Sequence, residues 1–116
     1  MHFKLIIAMV EEESTSKVIQ AARDAGATGT TVLSDARGEG LKPHKSFFGL
    51  TLETQREMLL FLVEEHLSRH ILECISQVAE FDKKPGCGVA FQIDVEDVIG
   101  LNKQMHTILE EVEEQL

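Results

Sequence analysis

Tryptophan and tyrosine are both missing from this 116-residue chain, and cysteine and proline occur only twice each. The two cysteines, Cys74 and Cys87, form no CxxC pair and have no metal-ligand spacing. That pattern assigns no metal site and gives no reason to expect a disulfide. Cations are scarce too: eleven Lys and Arg against twenty Asp and Glu leave a formal net charge of −9. Nucleic-acid binding needs a dense basic footprint, so this balance argues against it, and equally against an anionic membrane surface. There is no long hydrophobic run, and the apolar stretch at 3–10 is far too short for a signal peptide or a membrane span. A cytoplasmic protein without direct membrane insertion is expected. No Ser-His-Asp, Cys-His or paired-carboxylate arrangement has credible spacing, so no enzyme is expected and no catalytic residue is assigned.

What remains is one ordinary globular domain, with 43% of its residues hydrophobic. Residues 2–10 read as a strand whose apolar run is buried on both faces. Glu11 to Ala25 change to helical spacing, with Val18, Ala22 and Ala25 on one stripe; Ser14 or Thr15 is the candidate cap and Gly26 the stop. Thr30 to Ala36 form a second strand rich in β-branched residues. From Arg37 to Gln55 no period survives, and loops of that length in a compact domain are usually functional or mobile. A third strand over 56–63 precedes a helix over 64–81, whose buried face is Leu67, Ile71, Cys74, Ile75 and Val78. After a turn at 82–88 comes a fourth strand at 89–95, extended or followed by Val98-Ile99. An amphipathic helix over 102–116, with Asn102 as its N-cap, ends the chain. The order β-α-β-β-α-β predicts an α+β, ferredoxin-like sandwich with two helices on one face of a four-stranded antiparallel sheet. Strands apolar on both faces predict burial of the second face against copies of the same chain.

The eight glycines fall almost entirely at strand edges. Gly26 and Gly29 bracket the approach to the second strand, Gly38 and Gly40 close it, and Gly86 and Gly88 stand before the fourth. Glycine allows close approach of a ligand or another backbone, and paired Gly-x-Gly turns beside strands point to a small-ligand cleft with phosphates held on backbone N–H groups. The cations gather nearby, with Arg37, Lys42, Lys45 and Arg56 around the long loop and Lys83-Lys84 before Gly86. An acidic body with basic loops suits a protein whose loops meet an anion.

The segments Ala25-Gly26-Ala27-Thr28-Gly29-Thr30-Thr31-Val32, Arg37-Gly38-Glu39-Gly40, Pro85-Gly86-Cys87-Gly88 and Phe91 to Ile99 occur in an order and spacing that resemble the PII signal-transduction family over about residues 3–101. The resemblance implies a homotrimer with three inter-subunit clefts for an adenine nucleotide. It also implies a T-loop, here about 39–55, that docks onto a transporter, enzyme or regulator, with a membrane transporter the expected partner. The turn at 82–88 would be the B-loop, and the segment after 101 an element over the cleft. Carried over by position, Gly29, Thr30 and Thr31 would meet the nucleobase, and Gly38 and Gly40 would root the T-loop. Gly86, Cys87 and Gly88 would receive phosphates, and Arg56 would be the basic residue at the far foot of the T-loop. Lys42, His44, Lys45, Phe47 and Phe48 are the candidate partner-binding residues.

Three charged contacts of the family are replaced. Val89 stands where the B-loop lysine would be, and Gly100 and Asn102 where two arginines reach the phosphates from the neighbouring subunit. At about 1.5–3 kcal/mol for each charge-assisted bond, their loss weighs against tight ATP binding. AMP, ADP or a different anion is easier to reconcile with the cleft. Leu41-Lys42 replace the metal-binding glutamine that follows the glycines in the family, so no metal is assigned there. With no tyrosine in the chain, tyrosine uridylylation is excluded. The bland alternatives are specific. His66 and His70 have metal-compatible helical spacing but read more simply as solvated residues, and Cys87 as a small turn residue rather than a redox thiol. The competing functions are a trimeric ferredoxin-like scaffold without nucleotide binding and, more remotely, a trimeric metal-tolerance protein of the same topology.

Overall fold

The computed structural model of the chain describes residues 1–36, 55–84, 86–101, 109–110 and 112–114. Gly38, Gly40, Lys42, His44, Lys45, Phe47 and Phe48, the T-loop up to residue 54 and most of the expected helix at 102–116 lie outside them. The elements run β1 (Phe3–Glu11), a 3₁₀ turn (Glu12–Ser14), α1 (Thr15–Asp24), β2 (Thr31–Ala36), β3 (Arg56–Glu64), α2 (Glu65–Ala79) and β4 (Gly88–Val95). The sheet order is β2-β3-β1-β4 and every neighbouring pair is antiparallel, which is the expected ferredoxin-like arrangement.

Alternation explains the layers. Ile6, Ala8 and Val10 of β1 and Leu59, Phe61 and Val63 of β3 turn inward, where they are buried with Val18 and Ala22 of α1 and Leu67, Ile71 and Ile75 of α2. Each fully buried large side chain contributes about 1.5–3 kcal/mol relative to an exposed one. The intervening residues form the other face in rows fixed by register. Leu62, Leu5 and Ile93 lie in one row, Leu60, Ile7 and Phe91 in the next, and Leu33, Met58, Met9 and Val89 in the third. On this face the β1 and β3 residues are half-buried and the edge-strand residues are exposed. Val89, Phe91 and Ile93 are 52, 45 and 47% exposed.

The boundaries differ from expectation for local reasons. The β1–β3 ladder persists to the pair Glu11–Arg56, so the strand keeps Glu11 and α1 begins at Thr15, with no side-chain cap bond from Ser14. Gly26 does end α1. It takes φ 118°, with Gly26 N–H donating to Arg23 O at 3.0 Å and Ala27 N–H to Ala22 O at 2.9 Å, the Schellman pattern. Glu64 belongs to β3 and caps α2, its carboxylate accepting from His66 N–H at 2.7 Å. Helix α2 closes the same way as α1 but without glycine: Glu80 takes φ 58°, and Phe81 N–H donates to Ser76 O at 3.2 Å. Val98 and Ile99 are not in a strand, and Ile99 is 96% exposed. Cys74 and Val78, expected on the buried face, are only half-buried; Ser68 and Ala79 are buried on α2 instead.

Candidate functional site

Among the described residues, those singled out in the sequence fall into two groups at opposite corners of the sheet. In the first, Gly29, Thr30 and Thr31 lead into β2. With Thr28, Leu60, Leu62 and Leu101 they line a cleft of about 200 Å³. The Thr30 hydroxyl donates to Leu60 O at 3.2 Å, fixing this edge to β3, whereas the space beside Gly29 is open. Leu101, which sequence reasoning did not assign, shows that the chain after β4 returns to the β2–β3 corner. Small-molecule pockets usually enclose about 300–1,000 Å³, so the described residues at this corner line less than a full site.

The second group is the turn before β4. Lys83 and Lys84 N–H both donate to Glu80 O at 3.0 Å, and Cys87 N–H donates to Lys84 O at 3.1 Å. Gly86 takes φ 81°, a backbone conformation that favours glycine. Gly88 is glycine for another reason: a Cβ there would lie 2.5 Å from Met9 O and 2.6 Å from the Phe81 ring. Cys87 is buried, its thiol directed at Ala79 O at 3.5 Å, which is a turn-packing role and not that of an exposed redox thiol. Arg56 joins this group. Its guanidinium donates to Cys87 O at 2.7 Å and to Gly86 O. Hydrogen bonds to charged groups contribute about 1.5–3 kcal/mol when shielded, and less where solvent reaches them.

The lysines do not converge on the glycines. Lys84 pairs with Glu80 at 3.0 Å. The hydrogen bond and charge of Lys84 hold the Glu80 carboxyl below the usual carboxylate range, and Glu80 raises Lys84 in return. Lys83 lines a separate groove of about 620 Å³ along α2, with Arg69, Glu73 and Phe81.

From Thr31, opposite Leu60, to the turn, level with Arg56, is four residues of β3. That is about 13 Å along the strands, and three strand spacings add about 14 Å across the sheet. The structure therefore brings Arg56, Gly86, Cys87 and Gly88 together and leaves Gly29, Thr30 and Thr31 apart from them.

The strand ends flanking the long loop are tied together. Ser34 Oγ donates to Glu57 Oε2 at 2.7 Å, and Gln55 Nε2 to Asp35 Oδ1 at 3.4 Å. Hydrogen bonding from Thr15, then Ser34, holds the Glu57 carboxyl below its ordinary value, although the Thr15 hydroxyl meets no strict hydrogen-bond geometry. The Ser34 bond is the firmer of the two. Asp35 adopts φ 64° at an irregularity between Leu33 and Ala36. None of these was legible as a site, because polar residues at strand ends are commonplace.

Among the described residues, Glu64, Glu65 and His66 are the one close group of metal-ligating types. Glu64 already accepts from the backbone N–H of His66 and meets its ring Nδ1 at 2.5 Å, so the group is a helix cap. Its hydrogen bond and charge raise the His66 pKa above the usual value. No helix among the described residues is long and apolar enough to cross a membrane.

The sequence profile of the family described as nitrogen regulatory protein P-II matches residues 3–105. The chain belongs to that family, one of regulatory proteins. Among solved structures it is similar to CPII of Thiomonas intermedia, solved bound to ADP, AMP and acetate, at 21% identity and a TM-score of 0.61, covering 83% of this chain and 90% of that one. It is similar also to a PII-like signalling protein of Thermus thermophilus, at 23% identity and a TM-score of 0.62, covering 84% of this chain and 90% of that one. These likenesses establish the shared fold. No functionally curated protein matches the chain by sequence.

Proposed function

We propose that the chain is a PII-like regulator that assembles as a homotrimer through its open sheet faces. It takes a small anionic ligand of the adenine-nucleotide class in clefts between copies. Occupancy of the cleft is passed to a partner protein through the T-loop at about 39–55. The observation that carries this reading is the separation of the two glycine groups in one chain, next to an uncovered apolar face. Copies packed on that face would bring the Gly29–Thr31 corner of one against the Gly86–Gly88 turn of another, and among the described residues neither group closes a pocket by itself. In this assembly Gly29, Thr30 and Thr31 meet the base and Gly86, Cys87 and Gly88 the phosphate, while Gly38 and Gly40 hinge the loop. Lys42, His44, Lys45, Phe47 and Phe48 face the partner, for which a membrane transporter in contact with the cytoplasm is the proposed class.

The charge inventory favours AMP or ADP over ATP. Arg56 and Lys84 are engaged within the protein, and Val89 carries no charge where a cation would grip the phosphates. The same observation supports a second reading, a trimeric scaffold without nucleotide binding. Isothermal calorimetry with AMP, ADP and ATP, repeated on Gly86→Asp, separates the two. Heat with AMP or ADP, no tighter binding of ATP, and loss of binding in the variant are expected. An absence of heat with every nucleotide would leave the scaffold.

A further inference from the structure

We infer that Arg56 is a positioning residue that straps the end of the β2–β3 connection to the turn before β4, rather than a cation that grips the ligand. Arg56 is the first residue of β3, directly after the segment that leaves the sheet at Ala36. Its Cα stands opposite Glu11 at the end of β1, and β1 lies between β3 and β4 in the sheet. To reach Gly86 and Cys87 the side chain must cross the end of β1, about two strand spacings or 10 Å from its own strand to the next but one. It ends on two successive carbonyls, Gly86 O and Cys87 O. A planar guanidinium fork suits that pair, and a lysine ammonium, a point donor, does not reproduce it.

The rest of the turn is held by contacts within itself and to other elements. The Cys87 thiol is directed at Ala79 O, Cys87 N–H is bonded to Lys84 O, and Met9 O and the Phe81 ring leave no room for a side chain at Gly88. Arg56 is the member of this set that comes from the strand fed by the long loop. A displacement at the head of β3 therefore releases both carbonyls, and a change in the turn acts back on the head of β3 by the same contact, since such coupling is reciprocal. The consequence for ligand binding rests on the function proposed above; the strap itself does not.

The test uses the full chain with Arg56→Gln and Arg56→Lys. Without ligand, hydrogen exchange of the amides in 82–88 is expected to accelerate about ten-fold in both variants, with β1 and β3 unchanged. Unchanged exchange in the turn, or equal acceleration throughout the sheet, would overturn the inference. A second arm follows AMP binding against salt concentration. A positioning role lowers affinity about ten-fold in both variants and keeps the salt dependence of the parent, whereas a gripping cation would lose part of it in Gln and keep it in Lys. That latter pattern also overturns the inference. If the parent binds no AMP, the proposed ligand class fails and the exchange experiment alone decides the strap.

Discussion

Gly88 and Gly29 are alike in sequence, glycines beside strands, but their surroundings give them different reasons to be glycine. A methyl group at Gly88 would sit 2.5 Å from a backbone oxygen and 2.6 Å from an aromatic ring, whereas Gly29 faces open space. Gly88→Ala is expected to destabilise the fold by about 1–3 kcal/mol in urea denaturation, the usual scale of overpacking. Gly29→Ala should stay within about 0.5 kcal/mol, and any effect it has should be on ligand affinity. The sequence marked both positions as places of close approach and could not tell backbone from ligand as the thing approaching. Arg56 has the same ambiguity: a cation at a loop foot reads as an anion ligand, and its bonds to Gly86 and Cys87, about thirty residues away in the chain, leave no local trace. Cys87 went the other way, since a small residue between glycines was already better explained as part of a turn.

At the scale of elements, strand and helix periods were legible and the boundaries were set by contacts. Gly26 announces the end of α1, but Glu80 ends α2 in the same left-handed geometry with nothing in its identity to signal it. The opening of α2 is similar. Glu64 reads as a helix residue, and only the β1–β3 ladder, which pairs it with Phe3, makes it the last residue of β3 and the cap of the helix. That cap carries a pH signature. Glu64 raises the His66 pKa above 6.5 in the folded chain, so the contact adds stability that is fully present below the unfolded value and is lost as pH rises through the folded one. Thermal melts between about pH 5 and 9 are expected to show this loss in the parent and not in His66→Gln. An identical pH profile in the two proteins would remove the charge component of the cap.

For the whole molecule, the pattern that reads most clearly is the one a single chain leaves unexplained. Leu5, Ile7 and Met9 alternate with the core residues of β1, and β3 and β4 repeat the pattern in register, so a second apolar face is legible in the sequence. What the sequence did not reveal is that the two glycine groups stand at opposite corners of the sheet, because strand order and register decide that. The long loop, with the expected partner contacts, and most of the C-terminal segment lie outside the described residues. The claim joining these observations is that the open face and the divided site are two consequences of one assembly. Sedimentation equilibrium of the full chain tests it most directly. A species of three times the 13.0 kDa chain mass, persisting on dilution, is the result expected, and a monomer at every concentration would contradict it.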